Sequence, residues 1–166
     1  MSLEEQRAVF ARAHRAWELG DFDAFLACLT DDITYIVNVD GISVPYAMSA
    51  VGKTDVQDRL QLLLDTFDVT TFALERMVHG EDHSRSLVHG VYRHKQTGEV
   101  LDIKVRFHGW VENGLLKRIE EIHDARFIEA YERFVFHIVP TAQVRGGGCP
   151  AFCGASITGQ PPSQAG

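Results

Sequence analysis

From Leu3 to Trp17 apolar side chains return at helical intervals, at Leu3, Phe10, Ala13 and Trp17, and the series stops at Gly20. That spacing predicts an amphipathic helix, with Ser2 and Glu5 placed as its capping box. Asp21 is positioned to cap a second, short helix through about Leu29, in whose apolar series Phe22, Phe25, Leu26 and Leu29 Cys28 fits as a small core residue. The period then changes. ITYIVNV, from Ile33, is a β-branched run with two-residue alternation and predicts a strand. Residues 40–54 carry Gly41, Pro45 and Gly52 and predict irregular chain, after which Thr54 is expected to cap a third helix, DVQDRLQLLLDTF. Four long strands follow, TTFALERMVHG, SRSLVHGVYRH, EVLDIKVRFHGWV and LLKRIEEIH, parted by EDH, KQTG and the hairpin turn ENG. DARFIEAYERFVF reads as a last helix that ends before Pro140.

This order predicts an α+β fold: a cone-shaped α+β barrel with three helices packed on the concave face of one strongly bent antiparallel sheet. Such a shape encloses a blind, mostly apolar pocket. The 166 residues suffice for one core, expected over residues 1–140. Residues 141–166 turn Gly-, Pro- and Ser-rich and are expected to form a disordered tail. The net charge of -7 argues against a phosphate-backbone partner, so no nucleic acid is expected. There is no apolar run of about 18 residues, and MSLEEQRAVF is charged where a signal peptide is apolar, so neither a membrane span nor export is expected. A cytoplasmic location follows. Cys149 and Cys153, in C-P-A-F-C, stand one residue further apart than a redox dithiol and read as inert. None of the eight histidines forms an i, i+4 pair on a predicted helix, so no metal site and no cofactor are expected.

Strand parity sorts the polar residues. Leu101, Ile103, Val105, Phe107 and Val111 share one face and should meet the helices; Asp102, Lys104, Arg106, His108 and Trp110 share the other. A tryptophan among Arg and His suits a surface that meets a partner, so a homodimer through the face carrying Arg106, His108 and Trp110 is expected. In GLLKRIEEIHDARF, Ile119, Glu121 and His123 share one parity, Arg118, Glu120 and Ile122 the other, and Asp124 is placed to cap the last helix. Glu121 and His123 lie roughly 6 to 7 Å apart by strand rise. In an apolar pocket the Glu121 carboxyl would have a raised pKa, suited to proton transfer. As a base it would also be replaceable by Gln with little loss of stability. The competing structural reading pairs it across the sheet with Arg76, Arg93 or Arg106. His89 shares a face with Leu87 and Val91 and could line the cavity, and His14, between Phe10 and Trp17, is open to a core or a pocket role.

Three segments carry a resemblance. AHRAWELGDFDAFLACLTDDITY, the glycine of AVGKTDVQDRL, and WVENGLLKRIEEIHDARF, in this element order, resemble the superfamily of nuclear transport factor 2, ketosteroid isomerase and the SnoaL-like polyketide cyclases over residues 5–134. The resemblance places the isomerase tyrosine at Ala13, its base at Val37 and its strand aspartate near Phe107, all without the needed groups. Isomerisation by that constellation is not expected. The fold's limonene epoxide hydrolases would put their last-strand acid at Glu121 and their water-holding pair at Tyr35 and Asn38, but SLVHGVYRH lacks their Arg-x-Asp acid. The cyclases would put their last-strand acid-base residue at Glu121, with a histidine matched loosely by His89 or His108.

The resulting expectation is a cofactor-independent enzyme of isomerase, cyclase or lyase type. It would use acid-base chemistry on a small, mostly apolar, carbonyl-containing or cyclic substrate. Glu121, His123 and His89 are the catalytic candidates; Trp17, Tyr35, Val37, Asn38, Tyr46 and Phe107 are the substrate-binding candidates. The alternative is a non-catalytic small-ligand-binding or accessory dimerisation protein of the same fold, and an epoxide hydrolase is a weaker third.

Overall fold

The structure, a computed structural model, describes residues 2–38 and 47–123. Tyr46, the Asp124 cap, the last helix, the boundary at residue 140, the tail and its two cysteines lie outside the described residues. Helix α1 (Leu3–Glu18) starts at the expected capping box: Glu5 N–H donates to the Ser2 hydroxyl and Ser2 N–H donates to the Glu5 carboxylate. Its buried side runs through Val9, Phe10, Ala13 and Ala16, whereas Leu3 is exposed. Helix α2 (Phe22–Leu26) is capped by Asp21, which accepts from Ala24 N–H. Cys28 is buried, as its apolar neighbours imply.

Strand β1 (Leu29–Val37) begins four residues before Ile33. The region read as irregular contains a short strand β2 (Ala50–Val51), antiparallel to β1. Helix α3 (Lys53–Thr66) is capped by Gly52, not Thr54: Gly52 has φ 90°, a conformation side chains disfavour, and its N–H donates to Ile33 C=O at 2.7 Å. Strands β3 (Phe67–His79), β4 (Ser84–His94), β5 (Val100–Glu112) and β6 (Leu115–Ile122) complete one sheet in the order β2-β1-β6-β5-β4-β3. Asn113 and Gly114, both with positive φ, make the tight β5–β6 hairpin that ENG predicts.

One pairing departs from the expected antiparallel sheet. β1 runs parallel to β6, with Val37 opposite Glu121, because the long excursion through α3 and three hairpins returns the chain to β1 from the other side. Phe107 flanks Glu121 from β5. Inner-face parity on β5 follows the sequence reading: Val105 is buried, Leu101, Phe107 and Val111 pack on the core, and Arg106 is exposed. Gly109 shares that face for a steric reason. A Cβ there would lie 2.4 Å from Phe10 Cε2, so the missing side chain is what lets α1 settle onto the sheet. Phe10, Leu29, Ile33, Val56, Phe67 and Leu116 fill the core thus formed. Among the described residues no helix is long and apolar enough to cross a membrane.

Candidate functional site

Between α1, α3 and the concave face of the sheet lies a cavity of about 60 Å3. Phe10, Ala13, Trp17, Leu60, Phe72 and Phe107 dominate an apolar wall, into which Glu121, Tyr35, Tyr92 and His14 bring polar atoms. Of the candidate residues, Glu121, Trp17, Tyr35 and Phe107 are among those that line this pocket.

Glu121 has three partners. Its Oε2 accepts from the Tyr35 hydroxyl at 2.8 Å and from Arg59 Nη2 at 3.1 Å, and its Oε1 accepts from His123 Nε2 at 2.8 Å. An ionised carboxylate only accepts, so His123 carries a proton on Nε2. The Arg59 guanidinium also lies over the Tyr35 ring, 4.5 Å from its centroid, which closes a buried unit of cation, ring and carboxylate. Burial alone would raise the Glu121 pKa. The Arg59 charge and the His123 hydrogen bond overcome it and hold the carboxyl well below the ordinary carboxylate range. This corrects the expected raised pKa, and the physical reason is Arg59. The partner is also not among the three arginines considered on the strands. Arg93 pairs with Asp68, and Arg106 is exposed on the outer face.

Arg59 escaped the sequence reading although a signal existed: it shares the helical stripe of Val56, Leu60 and Leu63, where a charged residue must be buried or must bend away. It is 5% exposed. Its Nε and Nη1 are buried without a hydrogen-bond partner among the described residues.

His123 is buried on the same face as Glu121, and its backbone is clamped by Asn38: His123 N–H donates to Asn38 Oδ1 at 2.6 Å and Asn38 Nδ2 donates to His123 C=O at 3.4 Å. Asn38 therefore ties the ends of β1 and β6 together, and it is not among the described residues that line the cavity. Val37 belongs to the packed core beside Glu121 and is not part of the cavity wall. His89 corrects its expectation outright. The inner side of β4 carries Ser86, Val88 and Gly90, so the Leu87–His89–Val91 face is the outer one, where His89 Nε2 donates to Asp102 at 2.7 Å.

His14 lines the cavity from α1. Its Nδ1 lies 3.0 Å from Phe10 C=O, which can only accept, so Nδ1–H donates there and Nε2 faces the Ser86 hydroxyl at 2.7 Å as acceptor. Burial lowers its pKa, which agrees with this neutral form. On the outer face, Trp110 stacks on His83 at 4.8 Å and 20° and lies under Arg118, with His108 beside His83. Arg118 pairs with Glu120 there.

Comparison with known proteins places this architecture. Residues 10–119 match the model of the SnoaL-like domain. No curated protein matches the chain. Among solved structures, an NTF2-like protein of unknown function from Burkholderia pseudomallei superposes with TM-score 0.67 at 18% identity, covering 80% of this chain and 97% of that one. TerC, co-crystallised with polyporic acid, gives 0.64 at 12% identity over 75% and 98%. Rv0760c from Mycobacterium tuberculosis, in complex with estradiol-17beta-hemisuccinate, gives 0.62 at 16% identity over 74% and 96%. At such identities the structures speak to the fold. With two thirds of its length under one family model, the chain belongs to the SnoaL-like domain family, and it shares the fold of the NTF2-like structures.

Proposed function

We propose that this chain binds a small, uncharged, largely apolar molecule in the cavity, and that Glu121 serves as the ionic keystone of its floor. The observation that carries this reading is the saturation of Glu121: cation, phenol and imidazole all hold the carboxylate in its charged form. A general base works best with a pKa near the operating pH, and this carboxylate has been moved away from it. Two neighbours of the same fold were crystallised with small molecules, polyporic acid and estradiol-17beta-hemisuccinate, which supports a ligand-holding use of the cone.

Size decides what enters. A cavity of about 150 Å3 holds one benzene, and the inner space here is about 60 Å3. A ring therefore fits only if the wall yields. Trp17 and Phe72, with ring centroids 6.3 Å apart, belong both to this cavity and to an outer groove of about 150 Å3 beside Phe22 and Leu64. Their separation joins the two spaces.

A thermal-shift panel tests the reading. At a hundred times its Kd, one ligand adds about 2.7 kcal/mol to the unfolding free energy, or a rise in Tm of roughly 5 to 10 °C. Uncharged cyclic ketones and phenols should raise Tm, matched carboxylic acids should not, and Trp17→Ala should admit larger rings. If no compound shifts either the wild type or Trp17→Ala, the reading fails.

A second reading keeps the chemistry. Glu121 does face the cavity and is coupled to His123 on the same strand, so the pair could pass a proton to and from an enolisable substrate, with catalysis of isomerase, cyclase or lyase type. Deuterium incorporation next to the carbonyl of a bound ketone by the wild type, absent in Glu121→Gln, would favour it. We also propose a homodimer through the outer face that carries Arg106, His108 and Trp110. Sedimentation of the wild type as a dimer and of Trp110→Glu as a monomer is expected; a monomeric wild type would remove the proposal.

A further inference from the structure

Among the described residues, four polar side chains reach the cavity wall, and three of them are engaged. Tyr35 donates to Glu121, Glu121 accepts from three groups, and His14 donates to Phe10 C=O and accepts from Ser86. The fourth is Tyr92, whose hydroxyl makes no hydrogen bond with any described residue although its ring lines the cavity.

The ring's position is built in. A Cβ at Gly90 would lie 2.7 Å from Tyr92 Cε2 and 3.4 Å from its hydroxyl oxygen, so the Tyr92 side chain folds back along β4 over the glycine instead of standing off the sheet. Phe67 meets it edge-on, with centroids 6.5 Å apart. Only glycine at position 90 permits this pose.

We infer that the Tyr92 hydroxyl is the ligand-orienting hydrogen-bond donor of the cavity, and that it takes an uncharged acceptor oxygen, such as a ketone carbonyl, of the bound molecule. This rests on the ligand-binding reading above and names the atom that gives it specificity. Burial, then the nearby Glu121 charge, pushes the Tyr92 phenol well above its ordinary pKa, so the group stays protonated and donates. A ligand that supplies the acceptor gains this hydrogen bond within an apolar site; an analogue without the oxygen cannot. We take the acceptor to be uncharged because the Glu121 carboxylate repels a second anion and no lysine or arginine is among the described residues lining the cavity. The buried cation of the floor, Arg59, already pairs with Glu121.

The test compares cyclohexanone with methylenecyclohexane, its isostere without the oxygen, by NMR titration of wild type, Tyr92→Phe and Gly90→Ala, each shown folded by its thermal transition. The wild type should prefer the ketone. Tyr92→Phe should weaken ketone binding about five- to tenfold, the worth of one neutral hydrogen bond, and leave the hydrocarbon within about twofold. Gly90→Ala keeps the hydroxyl but displaces the ring, and should also lose the preference. An unchanged ketone preference in either variant overturns the role of Tyr92 while the pocket reading stands. Failure of both probes to bind the wild type and Trp17→Ala overturns the pocket reading, and this inference with it.

Discussion

Two histidine–carboxylate pairs stand on opposite faces of the same sheet at nearly the same length. His123 and Glu121 are 2.8 Å apart on the inner face, and His89 and Asp102 are 2.7 Å apart on the outer face. Solvent separates them. The inner side chains keep 4% and 16% of their accessible surface, the outer ones 34% and 69%. An exposed pair gains little from its charges, because water solvates them as well apart as together. The buried pair has lost that solvation and depends on Arg59 and Tyr35 to replace it. Contact distance therefore says nothing about what each pair contributes; the surroundings do.

The largest expected effect comes from removing the buried cation. Arg59→Leu leaves Glu121 charged and uncompensated, and denaturant unfolding should show a loss of about 3 to 5 kcal/mol. An Arg59→Leu protein as stable as the wild type would mean that the inner pair does not depend on its cation.

Glu121→Gln leaves the buried Arg59 cation without its counter-charge and should cost nearly as much, about 3 kcal/mol, at the low end because an amide oxygen still accepts from Tyr35 and Arg59. That reverses the expectation that this substitution leaves stability unchanged. The sign of the pH effect follows from the lowered pKa. In the unfolded chain Glu121 titrates near 4.5, and in the folded protein well below it. On acidification the unfolded chain takes up the proton first, so the stabilisation is complete above about pH 4.5 and lost as pH falls towards the folded value. Neutral His14 adds a separate decline below about 6.5, where its unfolded form gains a proton that burial resists. That decline is common to both proteins. The stability difference between wild type and Glu121→Gln should therefore shrink only below about pH 4.5.

Gly109→Ala probes the inner face without touching a charge. Its Cβ would press on Phe10, and a loss of about 1 to 3 kcal/mol is expected in the same unfolding assay. At the small end, His89→Ala and Asp102→Asn on the outer face should each stay within about 0.5 kcal/mol of the wild type. A loss at His89 as large as at Glu121 would erase the contrast between the faces.

Much of this arrangement is legible along the chain. The capping residues Ser2 and Asp21, the alternation of residues 101–111 and the shared parity of Glu121 and His123 follow from local periods, and each appears in the structure where those periods put it. What escapes is long-range. Glu121 meets Arg59 from a helix 62 residues earlier, and no local pattern sets the rotation of that helix against the last strand. The direction of the Glu121 pKa shift depends on that meeting, so the strand alone does not set it. His89 went to the wrong face because parity groups residues without naming the inner group. The inner group is set by Gly90, Val88 and Ser86, which are small enough to lie under α1 and Tyr92. The parallel β1–β6 pairing likewise depends on how far the chain travels before it returns.

The central claim is that Glu121 is a permanently ionised structural group and not a base poised near neutrality. A pH titration of the Glu121 side-chain carboxyl carbon by 13C NMR measures this directly. The account predicts a carboxylate signal that stays unchanged from neutral pH to below 4.5, with any transition beneath the ordinary carboxylate range. A midpoint above 4.5 would contradict it and return Glu121 to the role of an acid-base catalyst.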